Sequence, residues 1–509
     1  MKIQNNKLYY AMALFLLGLI IIHIGILYYS GSFIKGFRMI FNSDNLYLPA
    51  LYHDIVQGNG NISDWYLTPA PYFFPDMLLY FISNSIIDNI FHAIFFFIIL
   101  QLLIVYFFLN KLFSILFSSG NSLLYSAISV GLVYTIPNLM TKFVFLSGYH
   151  FGGILIGLVL LYLVLKIIIL EKEKKTIYYS IYILTVFMVL SDKLFIIQFL
   201  IPTILTFVLL WLLKYISYLR VVKISFIIVL GAITGIILYF ILISHPINLN
   251  ISFGLSEFNN NLKQFKKIIV QVFKSNPYVV VFVALQYIAL VFVTIKNMTG
   301  NRIKLKHFYI NVFIIIMALT TSFVLMLSTA SIDKRYFLPL YFLPLMFYPL
   351  LFESHVLIKR FRYLGIILLY LAMLIYIIYS SYKTIRNNKF ITDYYPKYIQ
   401  CFDDFIEKTA AQVGVSGYWQ ASRFTQLSKY NIKINSVTNK LQPYNWISPE
   451  INLQMKNYFA IIRNNKNIKS QPDLNLISQK PTDFYSCGRY TIYYYEPGFN
   501  IFSIKRVKQ

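Results

Sequence analysis

The carboxylates Asp44, Asp54 and Asp76, together with His53, fall in one stretch that starts at Ser43 and reads SDNLYLPALYHDIVQGNGNISDWYLTPAPYFFPD. A carboxylate can take the proton of a hydroxyl or amine as a general base. Carboxylate and imidazole groups can also hold a polyol by hydrogen bonds. Cations recur in two other short stretches. SDKL, at Ser191–Leu194, sets Lys193 beside Asp192 as its nearest ionic partner, and STASIDKRYFLPLYFLPLMFYP, at 328–349, sets Lys334 and Arg335 beside Asp333. A guanidinium clamps a phosphate bidentately, and an ammonium neutralises it as a point charge. His150 ends the stretch TKFVFLSGYH. Each residue also has an ordinary reading as a helix cap, an interfacial salt bridge or a snorkelling cation. Taken as a set they point to a site, because ionisable groups at membrane depth are costly.

The elements that must position these residues are apolar. The chain has 509 residues, of which 58% are hydrophobic and only 13% charged. Runs long enough to cross a bilayer recur along it. Breaking the chain at polar punctuation predicts about eleven spans, at roughly 8–29, 91–109, 122–140, 150–170, 177–190, 194–213, 224–244, 277–295, 308–328, 335–352 and 363–381. The first run is long for a signal core and lacks a small-residue cleavage site, so it reads as a retained helix. The stretch 73–88 is short and holds Asp76, and reads as an interfacial or re-entrant helix. Leu46, Leu48, Leu51, Tyr52 and Ile55 have helical spacing, which predicts a helix docked on the membrane surface. Pro339, Pro344 and Pro349 recur every five residues and bend the tenth span, opening a groove for an acyl or prenyl chain.

The net charge of +26 fits cytoplasmic loops facing anionic headgroups, and no basic helix or stacking platform argues for nucleic acid. With the N-terminus inside, every even gap is basic, and the candidate residues collect on the outer face. The loop 245–276, with Lys263, Lys266, Lys267 and Lys274, runs against this rule and reads as an amphipathic surface helix. The segment 385–509 then becomes an extracytoplasmic α/β domain behind a transmembrane domain at 1–384 that includes an outer loop at 30–90. DDFIEKTAAQ reads as its helix, and VGVSGYW, IKINSVT, YFAIIR and TIYYYEP as its strands. Cys401 and Cys487 both fall in this domain, either as a disulfide or as two free thiols. No Cys/His cluster has metal-ligand spacing.

These features together resemble the GT-C superfamily of polytopic glycosyltransferases, which includes the protein O-mannosyltransferases and the lipid A aminoarabinose transferases. Three of them carry the resemblance: SDNLYLPALYHDIVQG after the first span, RYFLP at Arg335–Pro339, and a soluble domain after the last span. The resemblance implies a polyprenyl-phosphate sugar donor, an envelope acceptor and an inverting transfer at the extracytoplasmic face. Asp44 would be the base, with Arg335, Lys193 and Lys334 at the donor phosphate. His53, Asp54, Asp76, His150 and Asp192 would contact acceptor or sugar. Family members often carry two acidic residues where this chain has Asp44-Asn45, which weakens the case for a divalent cation; no cofactor is expected, and a divalent cation, to which Asp54 or Asp76 could contribute a ligand, stays open without support. The residue usage, rich in Ile, Lys, Asn and Tyr, points to a bacterial inner membrane with a periplasmic tail. Two other classes remain open from the sequence: a transporter or flippase for lipid-linked glycans, disfavoured by the lack of internal repeats, and a non-catalytic envelope scaffold.

Overall fold

The computed structural model describes residues 2–501 apart from 33–36, 118, 136–139, 170–173, 248–251, 300–304, 330–331, 351–358, 452–454 and 465–470. The chain is mostly helical, with a small C-terminal sheet region. Seven helices are long and apolar enough to cross a membrane: Lys7–Tyr29, Ile90–Leu116, Phe151–Ile169, Tyr218–Leu242, Pro277–Lys296, Leu305–Leu327 and Leu364–Asn387. Three shorter apolar helices, Asn121–Tyr134, Lys175–Ser191 and Ile196–Leu212, occupy positions where spans were expected. At the tenth expected span, 335–352, the described residues form a short turn at Lys334–Phe337 and a helix at Leu338–Met346.

Numbered in chain order, the helices that frame the site are α1 (Lys2–Tyr29), α2 (Tyr47–Tyr52), α3 (Leu78–Ile86), α4 (Ile90–Leu116), α5 (Ser119–Tyr134), α6 (Phe151–Ile169), α7 (Lys175–Ser191), α8 (Ile201–Leu212), α9 (Tyr218–Leu242), α10 (Leu255–Ser275), α11 (Pro277–Thr299), α12 (Leu305–Leu327) and α13 (Leu338–Met346). A long helix, α14 (Lys359–Asn387), packs back against α1 and leads to the C-terminal domain. Helix α5 packs on α1 and α4, and α7 packs along α9. Small residues allow the closest approaches. At Gly157 of α6, an added Cβ would sit 2.0 Å from the Phe199 ring.

The expected surface helix at Leu46–Ile55 is present as α2 and the turn His53–Gln57, but its apolar face is not on lipid. Leu46, Leu48 and Leu51 are wholly buried inside the protein. Neighbouring α3 and the C-terminal domain cover them, so their spacing reports a protein core. The amphipathic helix expected in loop 245–276 is α10, which turns Asn261, Phe265, Ile268 and Val272 inward. Asn261 Nδ2 donates to the carbonyls of Met326 at 3.1 Å and Ser328 at 2.7 Å, tying α10 to the end of α12.

The C-terminal domain begins with α15 (Lys397–Thr409) and α16 (Tyr418–Leu427). Its five-stranded sheet has the order β4 (Lys433–Ser436), β3 (Val413–Ser416), β6 (Asn457–Arg463), β8 (Tyr490–Phe499), β7 (Asp483–Cys487). The first three strands are parallel and the last two pairings antiparallel. One expectation is corrected here: Tyr418 and Trp419 do not extend strand β3 but open α16, because Gly417 takes the extended N-cap position. Cys401 and Cys487 form a disulfide that joins α15 to β7. A second, three-stranded sheet runs β2 (His245–Pro246), β1 (Trp65–Leu67), β5 (Ser448–Pro449). It binds the first loop to the chain just after α9 and to the C-terminal domain.

Candidate active site

Four chain turns and the C-terminal domain meet around a cavity of about 280 Å³. Asp44, His150, Asp192, Lys193 and Arg335, far apart in sequence, all border it. The backbone is bent to bring them there. His150 has φ +68°, Gly148 φ +71° and Tyr72 φ +58°, all in the left-handed region that side chains rarely adopt. Such positions persist only where the surroundings over-determine them. For Tyr72 the surroundings are Ser191, whose carbonyl accepts the Tyr72 N–H at 3.1 Å and whose Oγ accepts the Phe74 N–H at 2.6 Å.

Asp44 is held by two tyrosines. The Tyr418 hydroxyl, at the start of α16, donates to Asp44 Oδ1 at 2.6 Å, and the Tyr149 hydroxyl lies 3.5 Å from Oδ2. Proximity to Asp44 and burial both raise the Tyr418 and Tyr149 pKa values, burial most, so both stay neutral donors. Ser43 Oγ also donates to the Tyr418 carbonyl at 3.0 Å, and Arg423 Nε to the Phe41 carbonyl at 2.9 Å. The C-terminal domain is thus bolted to the loop that carries Asp44.

Asn45, next to Asp44, does a different job. It is wholly buried. Its Oδ1 accepts the Ser147 N–H at 2.7 Å and the Ser147 hydroxyl at 3.1 Å, and its Nδ2 donates to the Ile40 carbonyl. An aspartate there would accept the Ser147 bonds but could not donate to Ile40. Asn45 is a bracket between two loops and is not among the residues that border the cavity.

Arg335 also lies near Tyr149, the tyrosine whose hydroxyl approaches Asp44. Its guanidinium lies 5.7 Å from the Tyr149 ring and 5.6 Å from the Tyr336 ring. Asp333 Oδ1 is 3.9 Å from Arg335 Nε and accepts the Arg335 backbone N–H at 2.9 Å. Nε is buried and has no hydrogen-bond partner among the described residues. A guanidinium that borders a cavity with an unpaired donor has the chemistry to bind an anion's oxygen atoms.

Asp192 does not pair with Lys193 as the sequence suggested. It accepts from His150 Nδ1 at 2.6 Å and from the Leu194 N–H at 3.0 Å, and His150 Nε2 lies 3.1 Å from the Tyr72 hydroxyl. Lys193 turns instead onto the face of Tyr239, 3.4 Å from its centroid. Burial lowers the Lys193 pKa. Asp76 lies behind the wall, 2% exposed, with its Oδ1 taking the Gly148 N–H at 3.3 Å. Burial pushes its carboxyl up to about 6, against the pull of that bond. Lys334 opens the turn before α13 and does not border the cavity. His53 and Asp54 border a second cavity, and Asp54 Oδ2 accepts the Trp65 indole N–H at 2.7 Å. Among the described residues, no three His, Cys, Asp or Glu side chains are grouped to hold a metal ion.

Leu194 and Ile197, just before α8, and Val324 and Leu325, near the end of α12, add apolar surface to a wall that also holds Thr68 and Ser328. The cavity therefore offers both charged and apolar surface. By fold the chain is a helical multi-pass membrane protein with a C-terminal α/β domain. No family model matches the chain, and no curated protein matches it.

Proposed function

We propose that this protein is a GT-C-type glycosyltransferase that moves a sugar from a polyprenyl-phosphate donor to an envelope acceptor. In this reading it crosses a bacterial inner membrane about eleven times, with its N-terminus cytoplasmic and its C-terminal domain periplasmic. The observation that carries the reading is the shared cavity. Asp44 and Arg335 border one space, Tyr149 approaches both of them, and apolar residues line the same space.

The donor phosphate would sit at Arg335, with Lys193 close by, and its prenyl chain against Leu194, Ile197, Val324 and Leu325. Asp44 takes the proton of the acceptor hydroxyl or amine. The acceptor atom forms a bond to the anomeric carbon as the bond from that carbon to the phosphate oxygen breaks. Polyprenyl phosphate leaves with one added negative charge, which the Arg335 guanidinium meets. The two groups act from opposite faces of the sugar, which is the geometry of inversion. Asp192, His150 and Tyr72 form a hydrogen-bonded chain that borders the cavity, and in this reading they contact the sugar.

The test is donor cleavage. The protein, reconstituted into sealed proteoliposomes, is given polyprenyl-phosphate-linked hexoses and pentoses with an envelope glycan extract as acceptor. Release of polyprenyl phosphate is the expected result. Movement of intact donor across the bilayer without bond cleavage would mean a flippase.

A further inference from the structure

A second cavity, about 580 Å³, lies between the first loop and the C-terminal domain. More of its wall is polar than in the first cavity. His53 and Asp54 form one side, and Ser422, Thr425 and Gln426 of α16 form the other. The last three follow the i, i+3, i+4 spacing that places side chains on one helix face. Helical Ser and Thr usually turn back to a carbonyl one turn earlier, and they do so elsewhere in this chain. Thr203 donates to Phe199, Thr206 to Pro202 and Thr409 to Phe405. Ser422 and Thr425 make no such bond, and neither they nor Gln426 have a side-chain partner among the described residues. A row of unspent hydroxyl and amide groups therefore faces the fixed carboxylate of Asp54 across a cavity.

The two cavities are neighbours. Trp446 and Ile447 border the first, and Ile447, Ser448 and Pro449 border the second. One strap of the C-terminal domain divides them. It is pinned by the pairing of Tyr66 with Ser448 and Trp65 with Pro449, and Ile447 takes φ +46°, which a β-branched residue seldom does.

We infer that the second cavity is the acceptor site and that the acceptor is a neutral carbohydrate, whose hydroxyls pair with Ser422, Thr425, Gln426 and Asp54. Its reacting end then passes the 446–449 strap to reach Asp44. The word acceptor rests on the transferase reading above, whereas carbohydrate binding does not. Neutral hydroxyls suit this wall because amide and hydroxyl groups both donate and accept, and the wall mixes Asp54 with Lys429 and Lys433 instead of offering one sign of charge.

The experiment is saturation-transfer NMR on the full-length protein in nanodiscs. The probes are neutral trisaccharides ending in glucose, galactose, mannose or N-acetylglucosamine, and a Ser/Thr-rich peptide. At least one trisaccharide should bind. The variant Ser422→Ala/Thr425→Ala/Gln426→Ala should weaken it at least tenfold, and Arg335→Ala should leave it unchanged. Gln426→Ala alone, with an unaltered unfolding midpoint, should weaken it severalfold and guards against a folding artefact. Wild-type protein that binds only the peptide, or no trisaccharide, overturns the inference, as does a triple variant that binds like wild type. Trisaccharide binding that is lost in the variants, in a protein that cleaves no donor, would leave this site standing and remove the transferase reading.

Discussion

A tyrosine hydroxyl at 2.6 Å fixes which way a carboxylate points, and Tyr418 does this to Asp44 across a sequence separation of 374 residues. The sequence marked Asp44 and Arg335 because charges are rare in so apolar a chain. It could not mark Tyr418 or Tyr149, which are two of 43 tyrosines with no distinguishing spacing. The relay from Asp192 through His150 was hidden for a related reason, since adjacency in sequence favoured Lys193 as the partner of Asp192. In the proposed function Arg335 makes charged hydrogen bonds to the donor phosphate, each worth about 1.5–3 kcal/mol, and Arg335→Ala removes them. Donor KM should rise roughly tenfold to a hundredfold, and an unchanged donor KM would count against the phosphate role. Asp76 predicts a pH effect. Its carboxyl is raised from 3.8 to about 6 by burial, so the fold favours the neutral form. Its contribution to stability is full below pH 3.8 and is lost as pH rises through about 6. Asp76→Asn should therefore stabilise the protein at pH 7.5, by at most about 3 kcal/mol, and change little at pH 4. Thermal unfolding of both proteins at the two pH values measures this.

Elements were legible to different degrees. Long apolar helices were visible by length, and the amphipathic α10 by its spacing. Strand β7 was missed because Asp483, Phe484 and Ser486 are exposed, so this edge strand shows no apolar alternation. The helix α2 was found but assigned to lipid, because a sequence does not say whether an apolar stripe faces hydrocarbon or protein. Two contacts between elements can be tested by substitution. A Cβ at Gly152 of α6 would lie 2.0 Å from Asp76 Oδ2 and 2.8 Å from Pro75 Cδ. Gly152→Ala should then cost about 1–3 kcal/mol, read as a lower unfolding midpoint; a midpoint equal to wild type would show that the loop yields freely. The Cys401–Cys487 disulfide closes a separation of 86 residues within the C-terminal domain. Cys401→Ser should destabilise that domain by about 2–4 kcal/mol, and wild type alone should shift in gel mobility on reduction.

At the scale of the molecule, the membrane helices and the C-terminal domain build one site between them. Tyr418 reaches Asp44, Arg423 reaches the Phe41 carbonyl, and β5 adds to the sheet of the first loop. The broad plan of apolar helices followed by a mixed domain was readable from composition. The number of crossings was not, because α7, with 17 residues, and α8, with 12, are short for a bilayer of about 30 Å. The partnership between domains was also invisible, since it rests on hydrogen bonds between distant segments and leaves no local pattern. The central claim is that Asp44 is the base of a sugar transfer from a lipid-linked donor. The direct measurement is polyprenyl phosphate release by wild type and Asp44→Asn in nanodiscs at equal, verified insertion. We predict release by wild type and a loss of at least about a hundredfold in Asp44→Asn, and near-equal release by the two would contradict the account.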